Sequence, residues 1–390
     1  MTAFATSDRP MKILMVGSQM ALAGAQRVLL SQAAWFYARG DQVTVAFFYD
    51  KQDLYKIWRE HPFPVLDLEA WDLDSGPFER YYRLIRGLIR LHRLMRRGDF
   101  DIVEAYTPHS NILALVVAAL ARIPVRIASH HGIIEGMPAW LHRLHGMVTN
   151  SPVTTCMVAV SSQVKDMAIR IDGVQESKIV VINNGIEIHP LPDAPGEIRA
   201  RIFRDLDIPP DSQFLLAVGR LAVQKGHAFL LDAAPLILEE HPNAVIAIAG
   251  VGSLEPFLRQ QARRLGLEQK VIFLGNRNDI YDLYSACHLF LLPSLWEGLP
   301  IAMLEAMSQA VPVVAANVEG VAPVIEHGST GMIIPRKDPP ALADAVNALL
   351  NDPDLMSRIG TAGMQVVKQN FSIQVMCSNY LELFQRFLQH

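Results

Sequence analysis

Residues 189 to 196 read HPLPDAPG, and the same pattern stands on both sides of them. The prolines remove backbone donors and keep a helix from running through the stretch. Before it, short β-branched runs alternate with longer segments of helical period: KILMV (12–16), QVTVAFF (42–48), DIVEAY (101–106), VRIAS (125–129), CMVAV (156–160) and KIVVI (178–182). After it the alternation restarts with FLLAVG (214–219), AVIAIAG (244–250), KVIFLG (270–275), HLFLLP (288–293), VPVVAA (311–316) and GMIIP (331–335). Runs that are apolar throughout, rather than at every second position, predict parallel strands covered by helices on both faces. The proline stretch is therefore read as a linker between two doubly wound, Rossmann-like α/β domains. Such sheets bind ligands outside the carboxyl ends of their strands, so the two are expected to face each other across a substrate cleft.

Length and composition agree with two ordinary cores: 390 residues, 51% hydrophobic and 19% charged, with mean hydropathy +0.19. A net charge of −4 gives no field for gripping a polyanion, which argues against nucleic acid as a partner. Cys156, Cys287 and Cys377 lie far apart, without the spacing of a zinc site or a disulfide framework, and fit a reducing cytosol. The polar start of the chain lacks a signal-peptide core, and the apolar run from Ile112 to Ala121 is far short of the roughly 20 residues that span a bilayer. Any membrane contact is expected to be peripheral.

The chemistry gathers at strand ends. PSLWEGLPIAMLEAM (293–307) reads as a strand end, a glycine turn and a helix opening at Pro300. Glu297 falls in the turn and Glu305 in the helix's second turn, while the free N–H groups near Gly298 and Leu299 make an anion site. One carboxylate can meet a sugar hydroxyl and the other a ribose; alone, the segment reads equally well as a connection with two solvated glutamates. In GRLAVQKG (219–226), Arg220 and Lys225 follow a strand and precede a helix. Two cations there can neutralise a departing diphosphate without a metal, although a lone Arg and Lys more often mark a solvated helix start. AGVGSLEPF (249–257) offers Gly250 and Gly252 for close backbone approach to a ligand. Glu255 occupies the third glycine position of a dinucleotide fingerprint, so a nicotinamide cofactor is set aside.

These residues resemble the large glycosyltransferase family 4 of GT-B enzymes, through Glu297 and Glu305 eight apart, Gly219-Arg220 with Lys225, and Gly250 with Gly252. The likeness extends to Gly24 with AQRV, Ser161, NNGIE (183–187) and VIEHGSTGMIIP (324–335). It implies a retaining, metal-independent transferase moving a hexosyl group from a nucleotide diphosphate sugar to a glycan or lipid-linked acceptor, in cell-envelope or exopolysaccharide synthesis. Residues 1–187 would form the acceptor-side domain, with 371–390 packing back on it, and residues 188–370 the donor-binding domain. Arg220 and Lys225 would bind the donor phosphates, Glu305 the ribose and Glu297 the sugar, with Gly24, Gly250, Gly252, Arg277, Gly298, Leu299 and Pro300 completing the donor site. The resemblance also implies an active-site histidine after VRIAS; His131, directly before Gly132, fits that position better than His130. Ala23, Ala310 and Pro323 depart from the family pattern, two of them from glycine and the third from an acid. Two rivals share the scaffold: a nucleotide-sugar epimerase, and a non-catalytic partner subunit.

Residues 79–97 carry Arg80, Arg83, Arg86, Arg90, Arg93, Arg96 and Arg97 against Glu79, with Leu84, Ile85, Leu88, Leu91 and Met95 expected on the opposite face. This basic amphipathic helix either covers the sheet or meets an anionic membrane, which would place a cytoplasmic enzyme on the membrane's inner face. Near Trp140, His142 and His145 read as surface residues rather than metal ligands.

Overall fold

The computed structural model describes residues 9–21, 24–72, 75–132 and 137–389. The chain divides into two compact units, residues 1–185 with 373–390 and residues 186–372. The crossing at Gly185 precedes the proline stretch, which belongs to the second unit. There the His189 ring lies 4.1 Å from that of Tyr281, and the Gln309 side chain donates to the His189 carbonyl.

The first unit is built on a seven-stranded parallel sheet: β1 (Lys12–Met20), β2 (Gln42–Asp50), β3 (Val65–Asp67), β4 (Ile102–Tyr106), β5 (Val125–His130), β6 (Cys156–Ala159) and β7 (Ile179–Val181). Their spatial order is β3-β2-β1-β4-β5-β6-β7, so the winding reverses between β1 and β4. All of β4 and β6 is buried, as continuous apolar runs require. Among the described residues, β3 is the one strand the periodicity did not announce. It holds three residues at the sheet edge after Pro64, too short for a period-2 signal.

The second unit repeats the plan with six parallel strands: β8 (Gln213–Val218), β9 (Ala244–Ala249), β10 (Val271–Gly275), β11 (Leu289–Leu292), β12 (Val313–Ala316) and β13 (Met332–Ile334), ordered β10-β9-β8-β11-β12-β13. Phe214 and Leu216 enter one apolar cluster, Leu215 and Ala217 another. Both faces of the sheet are thus covered, and a strand must be apolar at every position. The winding reverses between β8 and β11, which fixes where a ligand crevice forms.

The basic helix is Pro77–Gly98, and its packed face differs from the sequence expectation. Gly87, Leu91 and Met95 are buried, whereas Ile85 is exposed with Phe78, Tyr81, Tyr82 and Ile89. The reason lies at Gly87: a Cβ there would stand 2.3 Å from the Cβ of Ala70, so the helix seats its glycine rather than Ile85 against the segment beneath it. Gly24 is the first residue of the helix Gly24–Arg39, and Ala23 lies outside the described residues. Among the described residues no helix is long and apolar enough to cross a membrane. All three cysteines are free and buried.

Candidate active site

In the second unit the loops after β8 and β11 meet at the reversal point. Beyond β8 the chain makes a short 3₁₀ turn, Val223–Lys225, and Gly226 (φ +65°) leads into the helix His227–Glu240. A Cβ on Gly226 would come within 2.0 Å of the Pro293 carbonyl oxygen, so only glycine lets the two loops close. Leu295 N–H then donates to the Gln224 carbonyl at 2.8 Å, stitching the loops together.

This closure brings Lys225 to Glu297: Nζ lies 2.6 Å from Oε1, with side chains only 16% and 6% exposed. Ser294 Oγ donates to the same oxygen at 2.7 Å, and Gln224 Nε2 lies 3.4 Å from Oε2. Gln224 also takes a hydrogen bond from the exposed Arg220 guanidinium at 3.1 Å. Arg220, Lys225 and Glu297 therefore form one connected polar group beside the start of the helix Ile301–Ser308, whose N-cap is Pro300. A desolvated carboxylate with a cation and two neutral donors can hold a polyol, and the cations beside it favour a phosphate.

Glu305 is also buried; its Oε2 accepts from Tyr284 OH at 3.0 Å. That phenol sits well above its ordinary pKa because it is buried, with Glu305 adding to the shift. Gly250 has φ +143°, and a Cβ there would reach 2.0 Å from the Gly219 carbonyl; Gly252 abuts Leu221 in the same way. Both glycines thus line the β8 loop. Gly320 closes on the far side, 2.6 Å from the Gly298 carbonyl for an added Cβ, beside Leu299. Arg277, after β10, forms a two-point ion pair with Asp279 at 2.5 and 2.8 Å. It is not joined by these bonds to the Lys225–Glu297 group.

In the first unit the two histidines after β5 part company. His130 is buried, its Nε2 3.2 Å from Asp172 Oδ2. His131 is half-buried, stacked on Tyr106 at 5.2 Å, with Nε2 3.1 Å from Ser129 Oγ. Burial, then the neighbouring His130, lowers the His131 pKa to about 3, so the ring is neutral. His145 is fully buried and His142 largely so, correcting their reading as surface residues; Asp172 draws both inward. The ligand atoms of His130, His145 and Asp172 all lie within 4.8 Å of one another, a spacing that a metal site shares.

Gln224, Ser294, Tyr284 and Asp172 were not singled out by sequence. The first two lie inside the quoted segments 219–226 and 293–307, where their polarity beside the charged residues is the available signal. Tyr284 and Asp172 carry no local signal, because only the fold brings them to their partners.

Two doubly wound parallel sheets, with cations and a paired carboxylate at the second one's reversal point, define a glycosyltransferase of the GT-B class. The chain belongs to glycosyltransferase family 4: residues 22–189 match the model described as Glycosyltransferase Family 4, and residues 198–366 that of Glycosyl transferases group 1. It is 29% identical over 284 residues to the UDP-Gal:alpha-D-GlcNAc-diphosphoundecaprenol alpha-1,3-galactosyltransferase of Escherichia coli, covering 69% of this chain and 70% of that one. An uncharacterized glycosyltransferase of Methanocaldococcus jannaschii is 30% identical over 262 residues, covering 65% of this chain and 67% of the relative. In fold the chain is similar to HepE of Anabaena, crystallised with UDP-glucose, with TM-score 0.84 and 24% identity over 96% of this chain and 100% of that one.

Proposed function

We propose that this enzyme transfers a hexosyl group, with retention of configuration and without a metal, from a nucleoside diphosphate sugar to a glycan or lipid-linked acceptor in cell-envelope or exopolysaccharide synthesis. The observation that carries the reading is the 2.6 Å pair between Lys225 and Glu297 across the reversal point of the second sheet. As the bond from the anomeric carbon to the diphosphate oxygen lengthens, negative charge gathers on the leaving group. Arg220, Lys225 and the helix tip at Gly298 and Leu299 offset it. Glu297 holds the sugar hydroxyls, Glu305 the ribose, and Gly250, Gly252, Gly24 and Arg277 complete the donor contacts. His131 stabilises charge on the sugar or acceptor. The leaving phosphate itself takes the acceptor's proton, so attack comes on the face the nucleotide leaves. The Escherichia coli relative is named for UDP-galactose and a diphosphoundecaprenol-linked sugar, and HepE is crystallised with UDP and with UDP-glucose, which makes UDP-hexoses the first donors to try.

The helix Pro77–Gly98 is assigned to an anionic membrane surface, where a lipid-linked acceptor resides, with the enzyme on the cytoplasmic side. The donor reading is tested by thermal shift with UDP, GDP, ADP and their hexoses. One nucleotide family should raise the melting temperature of the wild type and not of Glu305→Ala; no shift with any of them would sink the donor site. The anomeric configuration of the product, read by NMR, tests retention.

A further inference from the structure

Asp172 ends the turn Ala168–Asp172, far in sequence from β5, yet three imidazoles close on its carboxylate. His130 Nε2 lies 3.2 Å and His145 Nδ1 2.8 Å from Oδ2, and His142 Nδ1 lies 2.5 Å from Oδ1. The outer nitrogens decide which ring atoms carry the protons. Gly132 N–H points at His130 Nδ1 at 3.3 Å, so that nitrogen accepts and Nε2 donates. Asn111 Nδ2 lies 3.1 Å from His145 Nε2 and 3.2 Å from the Ser129 carbonyl. The second contact requires the amide nitrogen there, so His145 Nε2 accepts and Nδ1 donates. Each of these rings donates its one N–H as a hydrogen bond to Asp172, which stays ionised inside the protein because its donors outweigh the burial that opposes charge. A metal held by the same atoms would need lone pairs at His130 Nε2 and His145 Nδ1, with N–H groups on the outer nitrogens. Gly132 and Asn111 require the reverse, so the cluster is a hydrogen-bonded clamp.

His130 is fixed on every side: both ring nitrogens are engaged, and its carbonyl accepts from Val160 N–H at 3.2 Å. The next residue is His131, whose ring rests on Tyr106 and bonds Ser129. We propose that Asp172 is a positioning residue which, through His130, holds the turn bearing His131 and aims that ring. This rests on the assignment of His131 to the transfer step.

Proton-detected ¹⁵N spectra of the histidine-labelled full chain test the clamp without any substitution. His130 is expected as the Nε2–H tautomer, and His142 and His145 as Nδ1–H. The opposite tautomer at His130 or His145 overturns the clamp, as does one equivalent of zinc that co-purifies and whose removal by chelator shifts these rings. Asp172→Asn, with its fold checked by circular dichroism, should move the His131 resonances. With the nucleotide sugar chosen by the thermal-shift screen, it should lower kcat about ten- to a hundredfold, as a misplaced catalytic group does, while leaving the donor KM nearly unchanged. In a His131→Ala background the same change should cost nothing more. Unmoved His131 resonances, or fully additive losses, overturn the positioning role. If His131→Ala alone keeps wild-type turnover, the assignment of His131 fails, while the clamp still stands or falls by the spectra.

Discussion

Arg220 and Lys225 are alike in charge and share a loop, but their surroundings differ enough to separate stability from catalysis. Lys225 neutralises a carboxylate that is only 6% exposed, whereas Arg220 is exposed and bonded to Gln224. Lys225→Met leaves Glu297 buried with neutral donors alone, a loss of about 3 kcal/mol. The double variant Lys225→Met/Glu297→Gln should recover most of it, since the stranded charge is gone. Arg220→Ala should stay within about 0.5 kcal/mol of the wild type in denaturant titration, as surface changes do. Both single variants should lose about a hundredfold in turnover, the size expected for one fixed charge on a developing anion. Native turnover in Arg220→Ala would remove it from the diphosphate. Ala310 shows the opposite case, a residue poor for its backbone. It stands at φ +58°, where a Cβ costs about 1 kcal/mol, so the glycine of the family pattern answers a steric demand that this chain leaves unmet. Part of that gain is lost to the unfolded chain's extra freedom. Ala310→Gly should raise the melting temperature by about 1–2 °C, and a fall would show that the left-handed turn carries no strain.

At the scale of elements, strands were legible and contacts between loops were not. A parallel strand buried on both faces announces itself as an unbroken apolar run, as Ala244–Ala249 does, because each side chain meets a helix whichever way it points. Which residues face each other across β8 and β11 depends on strand order, which periodicity does not encode; hence Glu297 stood out in the sequence as a candidate, but its bond to Lys225 did not. The helix Pro77–Gly98 was legible as amphipathic, yet its seat against Ala70 was hidden because glycine does not register as apolar. Its exposed Phe78, Tyr81, Tyr82, Ile85 and Ile89 fall within an arc of about 100° at the helical angle per residue. Arg93, Arg96 and Arg97 are exposed nearby and, among the described residues, make no ion pair, whereas Arg83, Arg86 and Arg90 each bond an acidic side chain. An anionic vesicle would meet rings and free cations together. Flotation should show binding to vesicles with anionic lipid and little to neutral ones, and charge reversal at Arg93, Arg96 and Arg97 should weaken it at least tenfold, at about 1 kcal/mol per cation. Equal binding to both vesicle types would leave this face without a lipid role.

Across the whole molecule, buried titratable groups outside the donor site set how stability depends on pH, and they pull in two directions. Burial lowers His131 to about 3, and His227 and His288 to about 4, and it lowers His145 as well. Each holds a proton less readily when folded than when unfolded, where it titrates near pH 6.5. Below about 6.5 the unfolded state binds more protons, so stability falls as the solution is acidified toward pH 4. Glu104 acts in reverse. Its carboxyl lies fully buried on β4, accepting from Gln32 at 2.8 Å, and burial raises it to about 8. Folded, it keeps its proton up to that pH; unfolded, it gives the proton up near the usual 4.3, so stability falls as pH rises from there to 8. Between pH 4.5 and 6.5 the histidines oppose one carboxyl and the acid limb prevails; above about pH 7 the unfolded histidines have given up most of their protons and Glu104 outweighs them. The melting temperature should therefore peak near pH 7, falling steeply on the acid side and gently on the alkaline side. Glu104→Gln, which keeps an acceptor for Gln32, should flatten the alkaline limb and steepen the acid one. A profile in which this variant leaves the alkaline limb unchanged would mean that Glu104 is ionised in the folded protein, and that Gln32 and the hydroxyls around it bind a charge rather than an acid.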